Sequence, residues 1–276
     1  MRALFVIDSR RWLGVCLTAL ALVPSAGRAM SLQPHAGDSI TQSQLFAYLF
    51  TAPQPGDWLR YRLSAGANTI LIKTMGFEQA DPQSNTPAYI EISTTSTALL
   101  TVPTMTAGGV GGSVVWKMYV DVSDFTDPLH SYTITSSAFR IGDGVFRLRD
   151  SATLGTPTRG VPLQTLLWSG LVPLGDTRQG TVTKNVPRDL KVAGRTLHCA
   201  DVAVEFAETA LPAGGSFPAE RIETWQSPDV PLGTVRVRTT LLGQTYGADL
   251  IGFGRASYRP IITQPLDGMA PFPGSQ

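Results

Sequence analysis

Apolar side chains recur at every second position in several parts of this chain, and that period restricts it to sheet with one buried face. Leu59, Tyr61 and Leu63 alternate with Trp58, Arg60 and Arg62, and Val235 and Val237 alternate with Arg236 and Arg238. A period of two belongs to a strand, since a helix would scatter the same residues around its circumference. The 27 glycines and 20 prolines supply the turns that many short strands need. Further strands are expected at 69–75, 89–95, 113–122, 132–141, 145–149, 181–186, 190–192, 196–206, 222–225 and 248–253. Asp143-Gly144 between apolar runs is a hairpin signal. One helix is expected over 41–50, where Thr41 and Gln44 form a capping box and Leu45, Phe46, Leu49 and Phe50 follow at helical spacing. Helix first, then many strands without regular alternation, predicts a mainly β fold. The expectation is a strongly curved antiparallel sheet (a half-open β-barrel) with the short N-terminal helix packed on it.

The first 29 residues have the layout of a secretory signal peptide. Arg2, Arg10 and Arg11 form a positive start, and Pro24 to Ala29 ends with small residues, Gly27 and Ala29, where cleavage requires them. The apolar core from Trp12 to Val23 holds 12 residues, short of the about 20 that cross a bilayer as a helix. A retained anchor is therefore the weaker reading. Cys16 lies early in that core, with most of the apolar run after it, so lipidation there is not expected. The expected organisation is a signal at 1–29, one β-rich domain at 30–260 and a disordered Pro/Gly-rich tail at 261–276. The expected location is periplasmic, with no transmembrane anchor after cleavage.

Cleavage would leave 18 Lys and Arg against 20 Asp and Glu. That near-neutral balance argues against nucleic acid as a partner. Cys199 would be the single remaining cysteine, with no internal disulfide to form. Its expected role is a small buried apolar residue, because a thiol nucleophile needs a neighbouring base. His198 beside it must face the other side of a strand, and His35 and His130 stand alone, so neither a metal site nor a cofactor is expected. Gly37-Asp38-Ser39-Ile40 matches the first block of GDSL-type serine esterases, and Asp127-Pro128-Leu129-His130 mimics their Asp-x-x-His block. Ser39 follows a polar stretch rather than a buried strand, however, and the Asp-x-x-His pair is mid-chain. No catalytic residue is therefore assigned, and an enzyme is not the expected reading.

Three stretches carry a family resemblance: 55–62 (Pro-Gly-Asp-Trp-Leu-Arg-Tyr-Arg), 192–199 (Val-Ala-Gly-Arg-Thr-Leu-His-Cys) and 225–233 (Trp-Gln-Ser-Pro-Asp-Val-Pro-Leu-Gly). They look like exported bacterial proteins of the lipoprotein-localisation-factor (LolA/LolB-like) fold, a half-open β-barrel with helices over its mouth. The resemblance implies an apolar ligand, such as an acyl chain, held in the hollow. It implies no catalytic residue. The glycine-rich segment at 101–112 and residues 157–175 depart from the family pattern, which leaves the lid and the ligand open. The residues expected to line the concave face are Leu59, Tyr61, Leu63, Ile70, Ile72, Val202, Val204, Phe206, Val235 and Val237. Three alternatives stand beside a lipid carrier: a solid core at those positions, an envelope assembly partner docking through a sheet edge or loop, and the esterase.

Overall fold

The computed structural model describes residues 34–66, 68–79, 88–96, 113–120, 134–141, 144–148, 178–210 and 215–264. The expected signal at 1–29, the segments 101–112 and 150–160, and most of the tail lie outside the described residues. Twelve strands form one antiparallel sheet that curves and does not close, as the sequence led us to expect. In spatial order they are β1 (Ser39–Thr41), β8 (Gln179–Val192), β9 (Arg195–Phe206), β12 (Glu220–Gln226), β13 (Thr234–Leu241), β14 (Gln244–Gly254), β2 (Trp58–Ala65), β3 (Asn68–Glu78), β4 (Tyr89–Ser96), β5 (Ser113–Val120), β6 (Ile134–Ile141) and β7 (Gly144–Leu148). A separate ribbon pairs β10 (Thr209–Ala210) with β11 (Ser216–Phe217). Register shifts in the pairings of β8, β12, β14, β2 and β5 mark the irregularities that bend a sheet.

Several elements are longer than their sequence signals. The two expected pieces at 181–186 and 190–192 are one strand, β8, which carries Pro187 through its middle. Proline lacks an N–H but is tolerated there because β1 covers only Gln179–Thr181, leaving an outer edge beyond. The β13–β14 hairpin turns on Leu242 and Gly243, at φ of 51° and 76°, the left-handed pair that suits a tight hairpin. The Ala193-Gly194 turn between β8 and β9 is built the same way, at 49° and 79°.

The helix α1 spans Gln42–Ala47, so it is shorter than the expected 41–50. Its capping box is present: the Gln44 backbone N–H donates to Thr41 Oγ1 at 3.2 Å, and the Thr41 N–H donates to Gln44 Oε1 at 2.8 Å. Leu49 and Phe50 lie beyond the helix because the Leu49 N–H is taken by Gln226 Oε1 at 3.1 Å, while Gln226 Nε2 donates to Leu45 O at 2.6 Å. Six residues are too few for a stable isolated helix. Leu45 and Phe46, both fully buried in the core, contribute roughly 1.5–3 kcal/mol each and hold it down.

The domain also extends past the expected boundary at 260. Ile262 is 1% exposed and packs with Val115 and Ala138 on the convex side of the sheet. The backbone N–H groups of Ile261 and Ile262 donate to the buried Glu91 carboxylate at 2.7 Å each. Residues 261–262 are thus a strap across the sheet, and 265–276 lie outside the described residues.

Candidate functional site

Strand register sorts the side chains of β2 to β6 onto two faces. Leu59, Tyr61 and Leu63 stand opposite Met75, Lys73 and Leu71 of β3, and this side is the buried, concave one. Arg62 stands opposite Ile72, so Ile72 belongs to the convex side, with the exposed Arg60 and Arg62. This corrects the placement of Ile72 with Leu59, Tyr61 and Leu63. The sequence could not decide it, because the run from Ile70 to Met75 is apolar at odd and even positions alike. Ile70 falls where the β2–β3 register shifts, between Thr69 and Leu71.

The remaining eight candidates meet in one cluster. Val202, Val204 and Phe206 of β9 face Thr224, Ile222 and Glu220 of β12, and Val237 leads through Ala248 to Leu63. All eight are between 0 and 2% exposed. A side chain bordering a hollow wide enough for an acyl chain keeps accessible surface, whereas these are enclosed by other side chains. Tyr61 donates its hydroxyl to the Thr234 carbonyl, and burial pushes its phenol well above the usual range. This half of the face is packed beneath α1.

The other half differs. Moving outward from Leu59, one row runs Met75, Ile92, Trp116, Phe139 and Phe146 across β3 to β7. Trp116 and Phe139 stack with centroids 5.4 Å apart and planes 11° from parallel, and both are only half-buried. Val114, next along β5 on the same face, is 39% exposed. Trp116 Nε1 and Ser137 Oγ are shielded from solvent, and neither has a hydrogen-bond partner among the described residues. Such atoms ordinarily cost about 1–3 kcal/mol each unless something arrives to satisfy them. The alternation of Val114, Trp116, Met118 and Val120 was a signal for these residues. Nothing in it, however, distinguished a packed stripe from a partly open one.

Lys73 lies where the two halves join, on β3 between Tyr61 and Thr94, and is 6% exposed. Burial lowers its pKa from 10.5 to about 8. A depressed lysine pKa means that the charged form penalises the fold, fully below pH 8 and progressively less as pH rises from 8 to 10.5. Relative to the parent, Lys73→Met should therefore be favoured more at pH 7 than at pH 10. Denaturant unfolding at both pH values checks this, and a gap that does not change with pH would contradict it.

The other reactive side chains lead elsewhere. Cys199 is 4% exposed, and burial, reinforced by the nearby Asp189 charge, pushes its thiol up to about 11. His198 points outward and meets Asp189 Oδ1 at 2.7 Å instead. Ser39 lies on the edge strand β1 and donates to Gln179 Oε1 at 3.0 Å, while Asp127 and His130 lie outside the described residues. Among the described residues, no three His, Cys, Asp or Glu side chains cluster as a metal site. No helix among them is long and apolar enough to cross a membrane.

No family model matches the chain. No curated protein matches it either. Several solved structures resemble it weakly, three of them as follows. The hypothetical protein CT021 from Chlamydia trachomatis has 10% identity and a TM-score of 0.36, over 80% of this chain and 96% of that one. A protein with a YmcC-like fold (BF2203) from Bacteroides fragilis has 12% identity and a TM-score of 0.31, over 75% and 99%. LprF from Mycobacterium bovis has 12% identity and a TM-score of 0.29, over 81% and 92%. Likeness at this level assigns no role to any residue.

Proposed function

We propose that this protein is an exported, periplasmic binding module, similar to the lipoprotein-localisation factors, that holds an elongated apolar ligand against the concave face of its open sheet. The half-buried Trp116–Phe139 stack carries this reading. It continues the apolar row from Leu59 and leaves aromatic surface half-exposed on the same face. An acyl chain laid along Trp116, Phe139 and Phe146 would bury the exposed aromatic surface, and the packed residues Val202, Val204, Phe206, Val235 and Val237 would form a rigid wall behind it. Leu59, Tyr61 and Leu63 join the wall to the stack.

Uptake of a fluorescent fatty acid tests the proposal. Trp116→Ala should weaken uptake at least tenfold in a folded protein. Val237→Trp should overpack the wall, costing roughly 1–3 kcal/mol of stability while the folded fraction still takes up ligand. Loss of uptake in Val237→Trp with unchanged stability would relocate the site to the packed half. A parent protein that takes up nothing would end the carrier reading.

A second reading has one observation behind it. Because the chain at 37–41 pairs with β8 only as far as Val182, the outer edge beyond it offers, among the described residues, backbone groups for strand addition by an envelope protein, and Val186 is 45% exposed there. Pro187 interrupts that edge, and Arg188, Asp189 and Lys191 put charge along it, the usual guards against strand pairing. The carrier reading is therefore preferred. A bare mass in native mass spectrometry of periplasmic protein, with a melting temperature unmoved by lipids, would favour the edge.

A further inference from the structure

Cations crowd one part of the convex side, where β8, β9, β12, β13, β14 and β2 lie side by side. The register sets Asp201, Trp225, Arg236, Asp249 and Arg62 in one row across them. Arg238 and Arg60 flank that row, and Lys184 and Arg188 reach it from β8. The acids lie beneath the cations. Asp201 is 1% exposed, whereas Arg188, which pairs with it at 3.3 Å, is 54% exposed. Lys184 bridges Asp201 and Glu223. Asp249 accepts from Arg236 and from Arg238, the latter through both carboxylate oxygens. Arg62, opposite Asp249, and Arg60 beside it are exposed and have no ion pair among the described residues. These six cations against Asp201, Glu223 and Asp249 leave the face at net +3, on a chain whose whole formal charge is +1. The Arg221–Glu205 pair farther along adds nothing to that balance. Trp225 steadies the array, with Lys184, Arg188 and Arg236 between 5.3 and 5.9 Å from its ring centre.

We propose that this convex face docks the protein on an anionic phospholipid surface, with Arg60 and Arg62 as its free contacts and the β8 and β13 cations around them. The cations span five strand spacings, about 24 Å, too broad for one small anion. Five of the six are arginines, whose planar guanidinium pairs well with phosphate oxygens. Trp58 stands half-buried on the same face, two residues from Arg60, and indoles suit the boundary between headgroups and water. An acidic protein would read these arginines by position, whereas a field of phosphates reads their summed charge. It is the sum that stands out here, because the acids are sunk below the cations. Docking by the convex side leaves the concave face free, so the proposal stands apart from the carrier reading.

Co-sedimentation of the full chain with vesicles tests this, comparing equal parts phosphatidylglycerol and phosphatidylcholine with phosphatidylcholine alone. The parent should partition at least about tenfold more strongly onto the anionic vesicles, since each basic side chain near such a surface contributes about a fivefold factor. Raised salt should erase the difference. Arg60→Gln combined with Arg62→Gln should weaken anionic binding by about tenfold or more, at an unchanged unfolding midpoint. Arg60→Lys combined with Arg62→Lys should keep most of it, because the charge is retained. Trp116→Ala, on the other face, should leave vesicle binding as it was. Equal partition of the parent onto both vesicle types would overturn the proposal, and that measurement needs no variant. So would a double glutamine variant that still prefers anionic vesicles, or a double lysine variant that loses as much as the glutamine one. A parent that ignores vesicles but binds polyglutamate would assign the face to an acidic protein and overturn it too.

Discussion

Glu91→Gln is expected to lower stability by about 3–5 kcal/mol, the loss typical of breaking a buried charged hydrogen-bond set. Glu91 is fully buried on the convex side of β4, opposite Gly76. It accepts hydrogen bonds from the Tyr258 hydroxyl and from the Ile261 and Ile262 backbone N–H groups. The Tyr258 ring lies flat where a side chain at position 76 would stand: a Cβ on Gly76 would come within 2.1 Å of it. Lys117 completes the clamp, donating to Glu78 Oε2 at 2.7 Å and to the Ile262 carbonyl at 2.9 Å. Glutamine offers one acceptor where the carboxylate offers two, and its amide N–H groups would confront the backbone donors. The strap should then detach, exposing Val115, Ala138 and Ile262. Urea unfolding and amide exchange at Ile261 and Ile262 read the result. An unchanged midpoint with both amides still protected would show that the strap is held by something other than Glu91.

Gly233→Ala should cost about 3 kcal/mol or more, because two separate penalties fall on one atom. Gly233 has φ of 78°, a conformation that alanine adopts only with strain. A Cβ there would also lie 2.0 Å from the Leu49 carbonyl oxygen, a backbone atom with no rotamer by which to move aside. That closeness is structural: the loop after β12 is tied to the chain leaving α1. Leu232 N–H donates to Thr51 O at 2.8 Å, and Thr51 Oγ1 donates to Pro228 O at 2.8 Å. Gly243→Ala supplies the control, since Gly243 has φ of 76° with nothing within 4 Å of its would-be Cβ. It should show only the conformational penalty, about 1 kcal/mol. Equal losses in the two variants, measured by denaturant unfolding, would refute the close approach between loop and helix exit.

The two glycines show how differently position and environment are encoded. They share a left-handed backbone and differ only in what surrounds them. Much was legible from the residues alone: alternation in β2, β9 and β13 placed those strands and their buried faces, and the Thr41–Gln44 spacing placed the start of α1. These features depend on a few neighbouring residues and on the fixed geometry of the strand and the helix turn. Long-range pairing left no such trace. Gln226 ends α1 from 177 residues away, and Glu91 fastens Ile262 from 171 residues away. The convex side of β2, β13 and β14 gathers Arg60, Arg62, Arg236 and Arg238, with Asp249 bridging the last two at 2.6 and 2.8 Å, although they are spread along the chain.

The candidate site divides in the same way. Which side chains alternate was written in the sequence, and eight of the ten expected lining residues do share one cluster. Whether that cluster surrounds a ligand or other side chains was decided by how far the sheet curls and by what α1 covers, and neither depends on local periodicity. Ile72 and Lys73 sit next to each other in an apolar run, and only the pairing of β2 with β3 put the isoleucine outside and the lysine within. One step of register turns every side chain of a strand over. Tertiary pairing alone therefore determined which of these neighbours belongs to the concave face.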